Sequence, residues 1–277
     1  MDRTFRDDGL EAFAKDGPPA LPAGGTVLDR HGVDVWYASY GAGPAVMLLH
    51  GGMGNSGNFG HQVPALLAAG FRVVVMDSRG QGRSGWDGTP FSYEQFAGDA
   101  LAILDGLGIS RAAIVGWSDG ACTGLAMAKA APERVAGVFY FACNVDASGS
   151  LPFVMTDTIG NCLTRHQKDY AALSPRPERF DEMSAALQVM QGSQPDYSAA
   201  DLQTIAVPVT VAQAERDEFI RVEHARYIAE TVPGAEFVLL EDVSHFAPVQ
   251  RPEVFNGAVL DFLTSTRVGL LSGAGRP

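Results

Sequence analysis

Short apolar runs alternate with segments of helical periodicity along most of the chain. The runs hold four to eight residues, as strands buried on both faces of a sheet do. They predict strands at residues 26–29, 33–40, 45–49, 72–76, 112–115, 135–142, 207–212 and 236–240. The segments between them predict helices at residues 61–69, 92–107, 121–131, 223–231 and 252–264, the second capped by Ser92. This alternation indicates an α/β fold, with a mainly parallel sheet and helices on both faces.

Two parts of the chain break the alternation. Residues 1–25 are rich in Gly, Pro, Ala and Asp and predict a loose N-terminal extension. Residues 147–206 contain four prolines and no good strand, although residues 181–190 look helical. We therefore expect an α/β core made of residues 26–146 and 207–266, a small helical cap at residues 147–206, and a C-terminal tail at residues 267–277.

Composition and charge narrow the classes of partner. A chain of 277 residues with 46% hydrophobic content can bury a large core, and its net charge of −12 disfavours a nucleic-acid partner. The sequence contains no run of about 20 apolar residues and no apolar core of signal-peptide length, so we expect no membrane partner and a cytoplasmic location. Three cysteines suggest no disulfide framework. A homo-oligomer is left open.

Ser118 is the first candidate for chemistry. It lies in Gly116-Trp117-Ser118-Asp119-Gly120, between a predicted strand and a predicted helix. The glycines give room for a sharp strand-to-helix turn, which would present the hydroxyl above the sheet, beside the backbone N–H groups of the helix N-terminus. The other reading is a serine that only caps the helix. We favour a nucleophile, because the strand and the helix are both where such a turn needs them.

A nucleophilic serine needs a base, and the base needs an acid to orient it. Among six histidines, His245 is the one that follows a predicted strand and precedes the last predicted helix. Asp217 follows the strand before it and is the favoured acid. Its neighbours Glu215 and Glu218 compete for this role, and Asp146 is an outside candidate.

The oxyanion of an acyl-transfer reaction needs two backbone donors. We expect them to be the N–H groups of Asp119, in the sharp turn, and of Gly52, in the glycine-rich loop His50-Gly51-Gly52-Met53-Gly54. Candidate substrate-binding residues are the neighbours of these groups along the chain: Asp119, Trp117, Met53 and Phe246. In the cap, apolar side chains could line a pocket or simply pack onto the core: Phe153, Met155, Leu163, Leu187 and Met190.

Taken together, these segments resemble the αβ-hydrolase superfamily over nearly the whole chain beyond residue 26. The matching pieces are HGG at 50–52, DSRGQGRS at 77–84, GWSDG at 116–120, Asp217 in AERDEFI and SHF at 244–246. GWSDG and the short cap are similar to the serine hydrolases of the valacyclovir hydrolase and enol-lactonase type. The resemblance implies a triad of Ser118, Asp217 and His245, with Gly52 and Asp119 as oxyanion donors. Ala214 departs from the pattern, since relatives often carry glycine there.

One motif points to a different function. Residues 80–85 read GQGRSG, which satisfies the dinucleotide-binding pattern, and Asp99 follows at a suitable spacing. However, helix signals begin only at Ser92, too late for a helix N-terminus to meet a pyrophosphate. We interpret this segment as a structural loop, held by Arg79 and Ser84. The sequence contains no Walker A motif and no metal-ligand spacing, so we expect neither a cofactor nor a metal.

The sequence thus favours a cofactor-free serine hydrolase that acts on a small ester, lactone, thioester or activated amide. A ligand receptor on the same scaffold remains an alternative, as does a lyase or a cofactor-independent oxidative enzyme with the same triad. The carboxylate of Asp119 has two readings. A negative charge in the first turn of a helix interacts favourably with the helix dipole, and the carboxylate could also hold a substrate ammonium group.

Overall fold

All strands of the computed structural model, which describes residues 8–265, join one eight-stranded sheet. They are β1 Thr26–Asp29, β2 Asp34–Tyr40, β3 Ala45–Leu49, β4 Arg72–Met76, β5 Ala112–Trp117, β6 Val135–Phe141, β7 Val209–Ala214 and β8 Glu236–Leu240. Their spatial order is β1-β2-β4-β3-β5-β6-β7-β8. The β1–β2 and β2–β4 pairs are antiparallel and all other pairs are parallel, which confirms the mainly parallel sheet.

Helices cover both faces of this sheet, as the alternation predicted. They are α1 Asp8–Asp16, α2 Gln62–Ala68, α3 Tyr93–Gly106, α4 Asp119–Ala130, α5 Asp157–Leu173, α6 Phe180–Ser193, α7 Ala199–Gln203, α8 Val222–Thr231, α9 Ala247–Gln250 and α10 Pro252–Thr264. Side chains alternate along β5, so Ile114 belongs to the core that also holds side chains of α3, α4 and α8, whereas Val115 belongs to the core that holds side chains of α2 and α10. The sheet therefore carries one apolar core on each face.

Residues 8–16 correct the expectation of a loose N-terminal extension. They form α1, whose Leu10 and Phe13 are buried, and α1 packs against both α5 and α9. A side chain at Gly9 would place its Cβ 2.0 Å from the carbonyl oxygen of Gln250, so the two backbones approach closely here. This contact fixes α1 beside the segment that follows His245.

Between β6 and β7 lie three helices, α5, α6 and α7, and no strand is assigned within residues 151–206. We call residues 147–206 the insertion. The predicted helix at 181–190 is confirmed as part of α6, but the sequence analysis missed α5. The prediction that β7 starts at residue 207 is wrong. Pro208 has no N–H to donate, and its carbonyl instead accepts from Val138 before the strand begins at Val209.

None of the described helices is both long enough and apolar enough to cross a lipid bilayer. The predicted tail at residues 267–277 lies outside the described part of the chain, as do residues 1–7 of the predicted extension.

Candidate active site

Ser118 occupies the turn between β5 and α4, in a backbone conformation that few side chains adopt. Its φ is 54° and its ψ is −123°, in a positive-φ region where a non-glycine residue is strained. The turn is tight because α4 starts directly beneath the end of β3. A Cβ at Gly120 would lie 2.0 Å from the carbonyl oxygen of Leu49, so only glycine fits there. The sharp turn expected from the sequence is therefore present.

His245 lies in the loop between β8 and α9, and its ring is paired with Asp217. Nδ1 of His245 is 3.0 Å from Oδ1 and 3.1 Å from Oδ2 of Asp217. Asp217 is itself fixed, because its Oδ1 accepts the backbone N–H groups of Phe219 and Ile220, each at 2.9 Å. A carboxylate can only accept, so Nδ1 carries the proton and Nε2 is left free to act as a base.

The other carboxylates considered for the acid have different partners. Glu218 accepts the backbone N–H of His245 at 3.0 Å. Glu215 accepts the backbone N–H of Asp242, and Asp146 accepts that of Ser148. Asp217 is the one of the four that pairs with the imidazole ring.

The surroundings of His245 favour its protonated form. Burial lowers the pKa of His245, but the carboxylate of Asp217, with smaller contributions from Glu218 and Asp119, outweighs burial and raises the pKa above 6.5. The Phe219 ring packs edge-on against the imidazole, with centroids 4.7 Å apart. Among the described residues, no hydrogen bond joins the Ser118 hydroxyl to His245, so the two groups must approach for proton transfer.

The backbone and the side chain of Asp119 have different roles. Its backbone N–H belongs to the first turn of α4, where no helix carbonyl can accept it. Its buried carboxylate accepts from the Tyr93 hydroxyl at 2.9 Å and from the Gln191 amide at 3.0 Å. Burial raises the pKa of Asp119, and the bonds from Gln191 and Tyr93 partly offset this. Asp119 thus links α4 to α3 and to α6 of the insertion.

Gly52 lies against this carboxylate. A Cβ at position 52 would be 2.6 Å from Oδ2 of Asp119 and 2.6 Å from the side-chain nitrogen of Gln191. Both expected oxyanion donors, the N–H groups of Gly52 and Asp119, therefore belong to residues that stand side by side. Behind this loop, His50 accepts the Ser78 backbone N–H at Nε2 and contacts the Gly51 carbonyl at Nδ1. His50 thus shapes the loop.

A cavity of about 590 Å³ opens over these groups. Asp217 lies behind His245 and does not line the cavity. The other residues expected at the site all line it: Ser118, His245, Gly52, Asp119, Trp117, Met53 and Phe246. From the insertion, Phe153, Met155 and Leu163 also line the cavity. Leu187 and Met190 do not line it and instead pack in the core beside α3 and α4.

Sequence reasoning missed several residues at this cavity. Tyr93 and Gln191, which hold Asp119, come from α3 and α6, and nothing in their local sequence pointed to the site. Phe219 lies two residues after Asp217, so its position could have suggested contact with the base. His166 on α5 also lines the cavity, and burial, with His50 and Arg165 nearby, lowers its pKa to about 4. His166 is therefore neutral near pH 7.

The segment at residues 80–85 is a structural loop. Arg79 binds both carboxylate oxygens of Asp99, at 3.0 and 2.9 Å, so the acid that fits the dinucleotide pattern is already paired. The Ser84 hydroxyl donates to the Asp77 carbonyl at 2.6 Å. The next helix, α3, begins only at Tyr93. Within the described residues, no cluster of His, Cys, Asp or Glu is arranged to hold a metal ion.

Comparisons with known proteins agree with this fold. A family model described as alpha/beta hydrolase fold matches residues 44–172. RutD of Azorhizobium caulinodans, provisionally named a carbamate hydrolase, is 29% identical over 83% of this chain and 94% of its own length. A 2-hydroxy-6-oxononadienedioate/2-hydroxy-6-oxononatrienedioate hydrolase of Pseudomonas putida is 29% identical, covering 79% of this chain and 87% of its own length.

Among solved structures, the enol-lactonase of Burkholderia xenovorans superposes with a TM-score of 0.71. The match has 23% sequence identity and covers 85% of this chain and 98% of the enol-lactonase, which supports the fold. The sheet order, the sharp turn at Ser118 and these matches together show that the chain has the alpha/beta hydrolase fold.

Proposed function

We propose that this protein is a hydrolase that cleaves a small ester, lactone, thioester or activated amide through an acyl-enzyme on Ser118, without a cofactor. One observation carries the proposal: a strained serine and an aspartate-paired histidine, from loops far apart in the sequence, line the same cavity. The relatives named for carbamate, enol-lactone and dienedioate substrates are consistent with a hydrolase, and their substrates differ too much to select one for this chain.

In this mechanism Ser118 attacks the substrate carbonyl while Nε2 of His245 takes the hydroxyl proton. Asp217 keeps the imidazole in the required tautomer and stabilises the imidazolium that forms. The N–H groups of Gly52 and Asp119 stabilise the negative oxygen of the tetrahedral intermediate. His245 then gives the proton to the leaving group, and water, activated by the same histidine, releases the acyl group.

The insertion acts as a cap over this site. Phe153, Met155 and Leu163 supply apolar surface to the cavity, and we assign substrate contact to Trp117, Met53, Phe246 and Asp119 on the core side. The domain division proposed from the sequence, with a core at 26–146 and 207–266 and a cap at 147–206, fits this arrangement. A cytoplasmic location and a homo-oligomer stay predictions.

The decisive test is Ser118→Ala assayed with p-nitrophenyl esters of short acids. We expect turnover to fall to background while the circular dichroism spectrum and the melting temperature stay close to those of the wild type. Cys162→Ser, which changes a buried side chain that does not line the cavity, serves as the control and should retain turnover. Turnover by Ser118→Ala would refute the assignment.

Analysis of the products then separates a hydrolase from a lyase with the same triad. A hydrolase yields the free acid and the alcohol, with one oxygen atom taken from water, and mass spectrometry in ¹⁸O-labelled water detects that atom. A protein that binds the esters but turns none of them over is the receptor considered in the sequence analysis.

A further inference from the structure

We propose that the cavity takes substrates whose acyl group carries no carboxylate, and that Asp119 is the specificity-determining residue that excludes one. This inference deepens the proposed function, because it names the class of acyl group that reaches Ser118. It is supported by the charges around the cavity, by the hydrogen bonds of Asp119 and by the apolar character of the lining.

The first argument is the set of charges that face the cavity. Among its described lining residues, Asp119 is the one acidic side chain, and none is a lysine or an arginine. The basic side chains are His166, which is neutral near pH 7, and His245, which must be neutral to act as a base. A substrate carboxylate would therefore meet a negative charge and no permanent positive one.

Two guanidinium groups lie close to lining residues but outside the cavity. Arg221 donates from Nε to the carbonyl of Ser150 at 3.1 Å. Arg165, next to His166 on α5, pairs with Asp169 at 2.7 Å. Neither side chain lines the cavity, so neither is placed to receive an anionic group.

The second argument is the state of the Asp119 side chain. Both of its oxygens accept hydrogen bonds, one from Tyr93 and one from Gln191, and these bonds stabilise the ionised carboxylate against the burial that raises its pKa. Both donors are uncharged, and no ion pair to Asp119 exists within residues 8–265. The charge is therefore held in place without being cancelled, and its field extends into the cavity.

The third argument is the cost of desolvation. The cavity lining is mainly apolar, with Met53, Leu151, Phe153, Met155 and Phe219 among its side chains. A carboxylate that enters such surroundings loses its hydration and finds no cation to replace it, whereas a methyl group of similar size gains from the transfer. Repulsion by Asp119 adds to this loss.

The test compares two esters of equal chain length, p-nitrophenyl hexanoate and the mono-p-nitrophenyl ester of adipic acid. We expect the wild-type kcat/KM to favour hexanoate by roughly 100-fold, since desolvation and repulsion act together. In Asp119→Asn this preference should fall by roughly tenfold, because only the repulsion is removed. The ratio of the two substrates cancels any general loss of activity in the variant.

Two further variants complete the series. Gln188→Lys places a cation at the cavity from an exposed position on α6 and should also lower the preference for hexanoate. Asp105→Asn removes the same charge as Asp119→Asn, but at the far end of α3, where Asp105 pairs with Arg134. The preference in Asp105→Asn should equal that of the wild type.

A binding measurement keeps this inference separate from the proposed reaction. Hexanoic anilide and adipic acid monoanilide are stable amides, so their dissociation constants for the wild-type protein can be measured by calorimetry without turnover. If the adipic compound binds more weakly and neither ester is hydrolysed, the proposal that the cavity excludes carboxylates is supported and the proposed hydrolase activity is refuted. Equal kcat/KM for the two esters, or a preference that neither Asp119→Asn nor Gln188→Lys changes, would overturn the charge selection and leave the hydrolase standing.

Discussion

Replacing Asp217 by asparagine should disable the base without disturbing the fold, because of how its two oxygens are used. Oδ1 accepts the backbone N–H groups of Phe219 and Ile220, and an asparagine Oδ1 would keep both bonds. The amide NH₂ then takes the place of Oδ2, 3.1 Å from Nδ1 of His245. Oδ1 lies 3.0 Å from the same nitrogen but already accepts two backbone N–H groups, so the new donor favours an Nδ1 that accepts. The ring proton then moves to Nε2, and the histidine can no longer take the proton of Ser118.

The magnitude follows from the same distances. Unit charges 3.0 Å apart, the separation of Nδ1 and Oδ1, attract by about 5.5 kcal/mol at an effective dielectric constant of 20. This attraction stabilises the imidazolium that forms when His245 takes the proton. Its loss corresponds to about four powers of ten in rate, and screening by residual water reduces this, so we expect kcat to fall by roughly 10³- to 10⁴-fold.

The assay is kcat for a p-nitrophenyl ester, measured together with the melting temperature. Glu215→Gln and Asp146→Asn are matched controls, since each removes one of the other candidate acids, and both should stay within about threefold of the wild type because neither carboxylate pairs with the ring. An Asp217→Asn variant that retains more than about a tenth of the wild-type kcat would refute the reasoning. So would a loss of activity in Asp146→Asn alone.

Three further outcomes are expected. The raised pKa of His245 places the acid limb of the kcat/KM profile above pH 6.5, with activity rising as the base loses its proton, and Glu218→Gln should move that limb to lower pH because a carboxylate that raises the pKa is gone. If the Asp119 carboxylate also attracts cations, Asp119→Asn should reduce the kcat/KM of amine-bearing esters relative to neutral ones, and equal ratios in both proteins would remove the idea. Gly52→Ala should lower kcat by roughly 10²-fold, because its Cβ would collide with the Asp119 carboxylate and displace an oxyanion donor. Gly98→Ala, with open space around the added Cβ, should leave kcat unchanged.

The central strands β3 to β7 were predictable because they are buried on both faces and so appear as short apolar runs. The helix α5 was not, although its buried residues Ile159, Cys162, His166 and Tyr170 follow helical spacing. Three of these four side chains are polar or only weakly apolar, so the hydrophobic periodicity of α5 is weak in the sequence. A short helix such as α1 is likewise stabilised by its packing partners rather than by its own sequence, and those partners lie far along the chain.

The candidate triad could be predicted because each member follows a strand, and the carboxyl ends of parallel strands lie at one edge of a sheet. The choice of Asp217 over Glu218 was harder, since the two are adjacent and only the loop geometry determines which reaches the ring. The contacts of Tyr93 and Gln191 with Asp119 could not be predicted, because they depend on how α3 and α6 approach α4 in space.

The position of α1 has a consequence for handling the protein. Gly9 abuts the carbonyl of Gln250, and the side chain of Gln250 accepts the backbone N–H of Ser244 at 2.7 Å, one residue before the histidine. The first helix thus supports the loop that carries His245, some 235 positions away in the sequence. A protease cut in the Gly- and Pro-rich connection at residues 17–25 would leave α1 held by packing alone, so nicked preparations should lose turnover as the loop that carries His245 loosens.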